Sequence, residues 1–188
     1  MLQLKKSLFL IFLLNMICNF AFTKEKTNII NKIESINNFK FEFSQSVSGK
    51  EERGNCTVAF NNRMRCEYKN KNKKEIIINN KTLVVVQKRY NKISYYPITK
   101  SMFINILNKD NLLNIIKVSE RNEYGENISL EYNDKNNQVI TIFFDKKSFN
   151  LLGWKTEDQF GNQIFFSIKI ISINQPYNLE IFKIPSLN

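Results

Sequence analysis

Residues 39–68 of this 188-residue chain read FKFEFSQSVSGKEERGNCTVAFNNRMRCEY, and their apolar residues recur with a period of two. Phe39, Phe41 and Phe43 alternate with polar residues, and Gln45 falls on the same face. The alternation continues in two further sets, Cys56, Val58 and Phe60, and then Met64, Cys66 and Tyr68 after a turn at Asn61-Asn62. Such alternation is typical of strands that bury one face and expose the other. The segment therefore predicts three short strands with one apolar side.

The rest of the chain carries further strand signals, separated by turns rich in Asn, Asp, Lys and Gly. The additional predicted strands are residues 75–78, 81–87, 93–96, 127–132, 139–144, 149–157, 162–173 and 179–184. Asn79-Asn80 suits a tight turn between the first two, because Asn tolerates positive φ better than most residues. Antiparallel strands at this spacing predict one large, strongly curved sheet or barrel.

Three segments follow a helical period instead. Ile29, Ile30, Ile33 and Ile36 predict an amphipathic helix over residues 24–38. The other two stripes are Met102, Phe103, Ile106 and Leu107, within a short helix over 99–107, and Leu112, Leu113 and Ile116. Many strands and few helices indicate a mainly β fold of the α+β class. The economical arrangement is an unclosed antiparallel β-barrel, or half-barrel, with a helical lid over its apolar concave face.

The first 23 residues have the layout of a secretory signal peptide. Lys5 and Lys6 precede an apolar run over residues 8–18, and Ala21 and Thr23 offer small residues for cleavage. The run is shorter than the roughly 20 residues that a membrane span needs, although a retained anchor stays open as an alternative. Residues 24–188 are then expected to form a single exported domain.

Cys18 is not expected to carry a lipid, since the three residues before it, Asn15-Met16-Ile17, are not small. The other two cysteines, Cys56 and Cys66, lie on neighbouring predicted strands. An exported protein can hold a disulfide between them. Two buried free thiols are an equally acceptable interpretation.

The charge is strongly basic, because 28 Lys and Arg residues against 17 Asp and Glu residues leave a formal net charge of +11. The lysines are scattered, with one local cluster at Lys69, Lys71, Lys73 and Lys74. A uniform richness in Asn, Ile, Lys and Phe points to a composition bias rather than to a selected patch. No nucleic-acid partner is expected.

Catalysis is also unexpected. The chain contains no histidine, which removes the commonest general base and metal ligand. Its five glycines form no phosphate-binding loop. The adjacent acids Glu51-Glu52 and Glu157-Asp158 are typical of solvated turns. We therefore expect no enzyme, no cofactor and no metal site.

Several short motifs, taken in order, resemble the LolA family, whose members carry outer-membrane lipoproteins across the periplasm. They are Phe43-Ser44-Gln45, the hairpin from Gly54 to Tyr68, Ile78-Asn79-Asn80-Lys81-Thr82-Leu83, the helix from Met102 to Leu107, Asp158-Gln159-Phe160-Gly161-Asn162, and the closing Phe182 to Pro185. No single motif is specific. Their order and spacing across most of residues 24–188 carry the resemblance.

The resemblance implies an apolar cavity between sheet and lid that holds acyl chains. The residues expected to line it are Phe41, Phe43, Val58, Phe60, Met64, Cys66, Met102, Ile106, Trp154, Phe166 and Ile168. It further implies acylated lipoproteins as cargo, an ABC-type release complex in the inner membrane as donor, and an outer-membrane acceptor. A monomer is expected.

Two positions depart from the family pattern. Family members often have Arg-Pro at the tip of the second hairpin, where the Arg helps to latch the lid, but this chain has Phe60-Asn61. Arg63 and Arg65 are the nearby candidates for that role. Where the family often has Trp, this chain has Cys66. A periplasmic sensor or interaction module of the same fold, binding lipid or peptide without transferring it, is the alternative function.

Overall fold

The structure of the protein is a computed structural model that describes residues 24–60, 62–101, 103–133, 138–157 and 161–185. The predicted signal peptide and Met102 lie outside the described residues, as do residues 158–160 of the predicted turn. The helices are α1 (residues 24–34), α2 (Phe103–Leu107) and α3 (Lys109–Val118). The strands are β1 (Asn38–Val47), β2 (Lys50–Ala59), β3 (Arg63–Tyr68), β4 (Lys74–Asn79), β5 (Thr82–Gln87), β6 (Lys92–Pro97), β7 (Glu120–Tyr124), β8 (Asn127–Asn133), β9 (Val139–Asp145), β10 (Leu151–Glu157) and β11 (Gln163–Ile173).

All of these strands pair antiparallel in one sheet of order β6-β5-β4-β3-β2-β1-β11-β10-β9-β8-β7. Two meanders, β1 to β6 and β7 to β11, are joined by the pairing of β1 with β11. The edge strands β6 and β7 do not pair with each other, so the barrel stays open. The predicted fold class, an unclosed antiparallel barrel with a helical lid, is confirmed.

The predicted alternation sets which face of the sheet is dry. On β1, Phe39, Phe41 and Phe43 are at most 5% exposed, while Lys40 and Glu42 between them are exposed. The same inward face continues across the sheet and merges into one hydrophobic cluster with the buried side of the helices. This shared cluster is the core of the molecule, and it occupies the concave side.

A glycine on β2 allows aromatic rings to meet across the sheet. In the register of the strands, Phe43 on β1 lies opposite Gly54, which in turn lies opposite Tyr68 on β3. The Phe43 and Tyr68 rings are therefore 4.8 Å apart, centroid to centroid, with no side chain between them. A Cβ atom at position 54 would lie 2.6 Å from the Phe43 ring and 2.2 Å from the carbonyl oxygen of Glu67.

The hydroxyl of Tyr68 completes this arrangement. It donates a hydrogen bond of 2.9 Å to Oε1 of Gln45, the polar residue on the dry face of β1. Burial raises the pKa of Tyr68 well above its ordinary value, so the side chain stays a neutral donor. The combination of Phe43, Gln45, Gly54 and Tyr68 is thus one packing unit spread over three strands.

One predicted strand is wrong. Residues 179–184 were expected to extend the sheet, but Leu179–Phe182 is a 3-10 helix on the convex side. Because β11 already pairs with β1 and β10, no free edge is available there. The C-terminal segment instead buries Phe182, and Nη1 of Arg65 donates to the carbonyl of Ile181 at 3.2 Å.

The polar edge strand β7 was not predicted, because its sequence ERNEY has no apolar alternation. Its pairing with β8 alone holds it in the sheet. The helix α1 also ends earlier than expected, since β1 begins at Asn38.

We predict that Gly54→Ala lowers the free energy of unfolding by about 3 kcal/mol or more, because the new methyl group overlaps both a ring and a backbone oxygen. Denaturant unfolding followed by circular dichroism measures this. Gly49→Ala is the matched control. Gly49 has a φ of +76° but open space around it, so its cost should be about 1 kcal/mol. Equal losses in both variants would contradict the packing role of Gly54.

Candidate functional site

The residues predicted to line a cavity lie together on the concave face, apart from Met102, which is outside the described residues. Phe60 is partly buried against the hydrophobic cluster. The others belong to its buried part, each 7% exposed or less: Phe41, Phe43, Val58, Met64, Cys66, Ile106, Trp154, Phe166 and Ile168. These residues therefore share one buried face, and their role in binding acyl chains stays a prediction.

The centre of that face is occupied by stacked rings. Trp154 stacks on Phe166 at 4.4 Å with an interplanar angle of 11°, and Phe166 stacks on Phe43 at 4.9 Å and 15°. With Tyr68 these rings form an aromatic ladder that runs across β10, β11, β1 and β3. The side chains at this position touch one another, so the expected hollow is closed here in the structure.

The lid consists of α2 and α3, which lie in the connection between β6 and β7. Since β6 and β7 are the two edges of the open sheet, this connection must span the gap between them. From α2, Phe103 places its ring edge-on to Trp154 at 6.2 Å and to Phe166 at 6.1 Å. From α3, four residues are buried: Leu112, Leu113, Ile115 and Ile116.

A small apolar cavity of about 10 Å³ lies where helices and sheet meet. That is about the space of one water molecule. Its lining consists of Ile33, Ile36, Phe39, Phe60, Ile106, Leu112, Leu151 and Ile170. Phe60 and Ile106 were predicted. The isoleucine stripe of α1 and the alternation of Phe39 were visible in the sequence, but the part of the sheet that α1 covers was not.

The lid is fastened at the β2–β3 turn. The backbone N–H of Asn62 donates to the carbonyl of Leu107, at the end of α2, at 3.1 Å. The ammonium of Lys109 lies 5.2 Å from the centre of the Phe60 ring and donates to the carbonyl of Glu34 at 3.1 Å. The Lys109 ammonium is thus stabilised both by the face of the Phe60 ring and by the C-terminal end of α1.

Arg65, which was considered as a latch, lies on the convex side. Its guanidinium pairs with Glu75 at 2.9 Å and Glu67 at 3.2 Å. Successive side chains of a strand point to opposite faces. Because Met64 and Cys66 point inward, Arg65 between them points outward and cannot latch the lid. The lid is instead held by Asn62 and by Lys109 over Phe60.

α1 and α3 are linked by polar contacts at the other end of the lid. Nζ of Lys26 donates to the carbonyls of Ser119 at 2.5 Å and Lys117 at 3.3 Å, which are left free at the end of α3. Burial lowers the pKa of Lys26. Glu25 pairs with Arg121 on β7 at 2.8 Å. The two helices and the edge strand are thus connected.

Cys56 and Cys66 face each other on β2 and β3, with Cα atoms 4.1 Å apart, and the structure bonds their sulfur atoms. Both are buried, at 3% and 1% exposure. The bond closes the hairpin whose turn carries Phe60 and Asn62. The disulfide is therefore buried on the concave face, and it constrains the turn that fastens the lid.

Comparison with protein-family models shows which family the chain belongs to. The sequence model described as "Outer membrane lipoprotein carrier protein LolA" matches residues 34–185. The chain belongs to the LolA family. Comparison with curated proteins gave no match.

Solved structures agree on the fold. An uncharacterized conserved protein from Thermus thermophilus has a TM-score of 0.53 at 9% identity, over 87% of this chain and 94% of that one. MucB has a TM-score of 0.53 at 10% identity, over 88% of this chain and 64% of that one. The MucA/MucB complex of Pseudomonas aeruginosa gives 0.50 at 9% identity, over 85% and 60%. In the described part of this LolA-family chain, no helix is long and apolar enough to cross a membrane.

We predict that the Cys56–Cys66 disulfide resists reduction in the native protein, because dithiothreitol reaches it only when the lid moves. Phe103→Ala removes the contact of the lid with Trp154 and Phe166, so reduction should become faster. Phe165→Ala truncates an exposed phenylalanine on the convex side and is the control. Thiol alkylation followed by mass spectrometry gives the rates. Equal rates in the two variants would contradict a lid over the disulfide.

The same bond should stabilise the fold. Closing a chain segment of this length is worth about 2–3 kcal/mol, so we expect Cys56→Ala with Cys66→Ala to lose that amount in denaturant unfolding. No loss would contradict a disulfide in the native protein.

Proposed function

We propose that this protein is a periplasmic carrier that binds the acyl chains of lipoproteins released from the inner membrane and delivers them to the outer membrane. The observation that carries the proposal is a broad apolar sheet face covered by the two short helices of the lid and by α1 rather than by a second sheet. The LolA family membership supports it. The donor is an ABC-type release complex, and the acceptor is a component of the outer membrane.

An acyl chain cannot cross an aqueous compartment alone. Each buried methylene is worth about 0.8 kcal/mol, so a chain of a dozen methylenes requires an apolar surface worth on the order of 10 kcal/mol. The concave face offers such a surface once the lid leaves it. Binding by this surface needs no catalytic group, which agrees with the expectation that the protein is not an enzyme.

The lid is well suited to be displaced. α2 has five residues and α3 has ten, and helices of this length have little stability apart from their packing. Their apolar stripes cover the sheet through side-chain contacts that an acyl chain could replace. Exchange of one apolar cover for another leaves the buried area similar, so the closed and loaded states lie close in free energy.

The closed state has a clear function in the absence of cargo. An uncovered half-barrel would expose Trp154, Phe166 and their neighbours as one large apolar patch, which promotes aggregation. The lid protects this face until cargo arrives. Release at the acceptor then restores the same contacts.

The single tryptophan provides a direct test. Trp154 is 6% exposed beneath Phe103, and a brominated acyl chain quenches tryptophan fluorescence only on contact. We expect a triacylated lipopeptide with brominated chains to quench most of the Trp154 emission. The chains would reach the ring only by entering the concave face.

The matched control moves the tryptophan to the other side of the sheet. Trp154→Phe with Phe165→Trp places the fluorophore on the exposed convex face, where we expect no quenching at the same degree of binding. Binding without quenching of Trp154, or no binding, would contradict the proposal. Stable binding without transfer to acceptor vesicles would instead support the sensor or interaction module.

A further inference from the structure

Two turns at one end of the half-barrel carry a concentration of positive charge. Residues 69–74, the β3–β4 turn and the first residue of β4, read KNKNKK, and residues 88–92, the β5–β6 turn and the first residue of β6, read KRYNK. Together they hold seven cations and no acidic residue. We call these two segments the lysine turns.

The fold brings the lysine turns together. The N–H of Arg89 donates to the carbonyl of Asn72 at 3.3 Å, and the hydroxyl of Tyr90 donates to Oδ1 of the same asparagine at 3.2 Å. Lys73 and Asn91 both have positive φ, as tight turns require. The charges therefore form one surface, although the sequence separates them.

Most of these charges are not neutralised. Lys74 pairs with Glu52, and Lys88 pairs with the buried Glu75. The remaining cations are exposed and have no carboxylate partner among the described residues: Lys69, Lys71, Lys73, Arg89 and Lys92. Like charges this close repel one another in water, and a surface of opposite charge relieves that repulsion.

An exposed aromatic residue lies between the cations. Tyr90 is 58% exposed, and the Arg89 guanidinium lies 5.9 Å from its ring centre. Tyrosine favours the boundary between lipid headgroups and water, where its ring and hydroxyl are both satisfied. Lysine acts as a point charge without the bidentate geometry of arginine. This composition fits a diffuse anionic surface better than a defined carboxylate motif.

We infer that the lysine turns dock the protein on the surface of an anionic bilayer, with Tyr90 among the headgroups. This is a contact with the membrane itself and not with the cargo. The lysine turns lie at the opposite end of the strands from the β2–β3 turn that fastens the lid, because successive turns of an antiparallel meander alternate between ends. Docking therefore leaves the lid contact free of the membrane.

Vesicle co-sedimentation tests the inference on the protein recovered after export. The protein should bind phosphatidylcholine vesicles that contain phosphatidylglycerol, should not bind phosphatidylcholine alone, and should be released by high salt. Replacing Lys69, Lys71, Lys73 and Arg89 by Gln should weaken binding about fivefold per charge, and thus by more than about 100-fold in total.

The control replaces four exposed lysines elsewhere, Lys40, Lys146, Lys147 and Lys169, by Gln, so that the net charge of the two variants is equal. It should keep most of the binding. An equal loss in both variants, or equal binding to neutral vesicles, would overturn the inference. Binding to polyglutamate through the lysine turns, without binding to vesicles, would also overturn it in favour of an acidic protein partner. The vesicles contain no lipoprotein, so the result does not depend on the proposed cargo.

Discussion

The constraint behind this structure is that a curved sheet with two unpaired edges cannot cover its own apolar concave face. β6 and β7 end the sheet without meeting, and the inward residues of the strands between them form a dry surface that water must not reach. The chain covers this surface with the segment that links the two edges, together with α1. The lid is thus a consequence of the topology, and it is attached to the sheet at both ends.

The packing of the concave face depends on the absence of a side chain at Gly54. Gly54 removes a side chain from β2, and the aromatic ladder of Tyr68, Phe43, Phe166 and Trp154 can then extend over several strands. The ladder lines the concave face with aromatic rings, and Phe103 packs edge-on against two of them. Apolar contacts of this kind are not directional, which suits both a helix and an acyl chain.

The sequence was informative wherever its apolar residues recurred at a regular spacing. The alternation from Phe39 to Tyr68 predicted the dry face and the half-barrel, but only Phe60 and Ile106 of the residues that line the small cavity were predicted. It was uninformative where tertiary context decides: the polar edge strand β7 has no period, and the 3-10 helix at Leu179–Phe182 depends on the lack of a free sheet edge. The lid fastening was missed because a backbone N–H at Asn62 leaves no sequence signal, whereas the arginine at position 65 attracted attention but points outward. The adjacency of the lysine turns follows only from the hydrogen bonds to Asn72.

The central claim is that the lid gives way to acyl chains while the sheet beneath it stays intact. Hydrogen–deuterium exchange with mass spectrometry, with and without a triacylated lipopeptide, measures this most directly. The account predicts faster amide exchange in residues 98–119 on loading, because displaced short helices lose their protection, and unchanged exchange in β1 and β11. Unchanged or slower exchange in residues 98–119 of the loaded protein would contradict it.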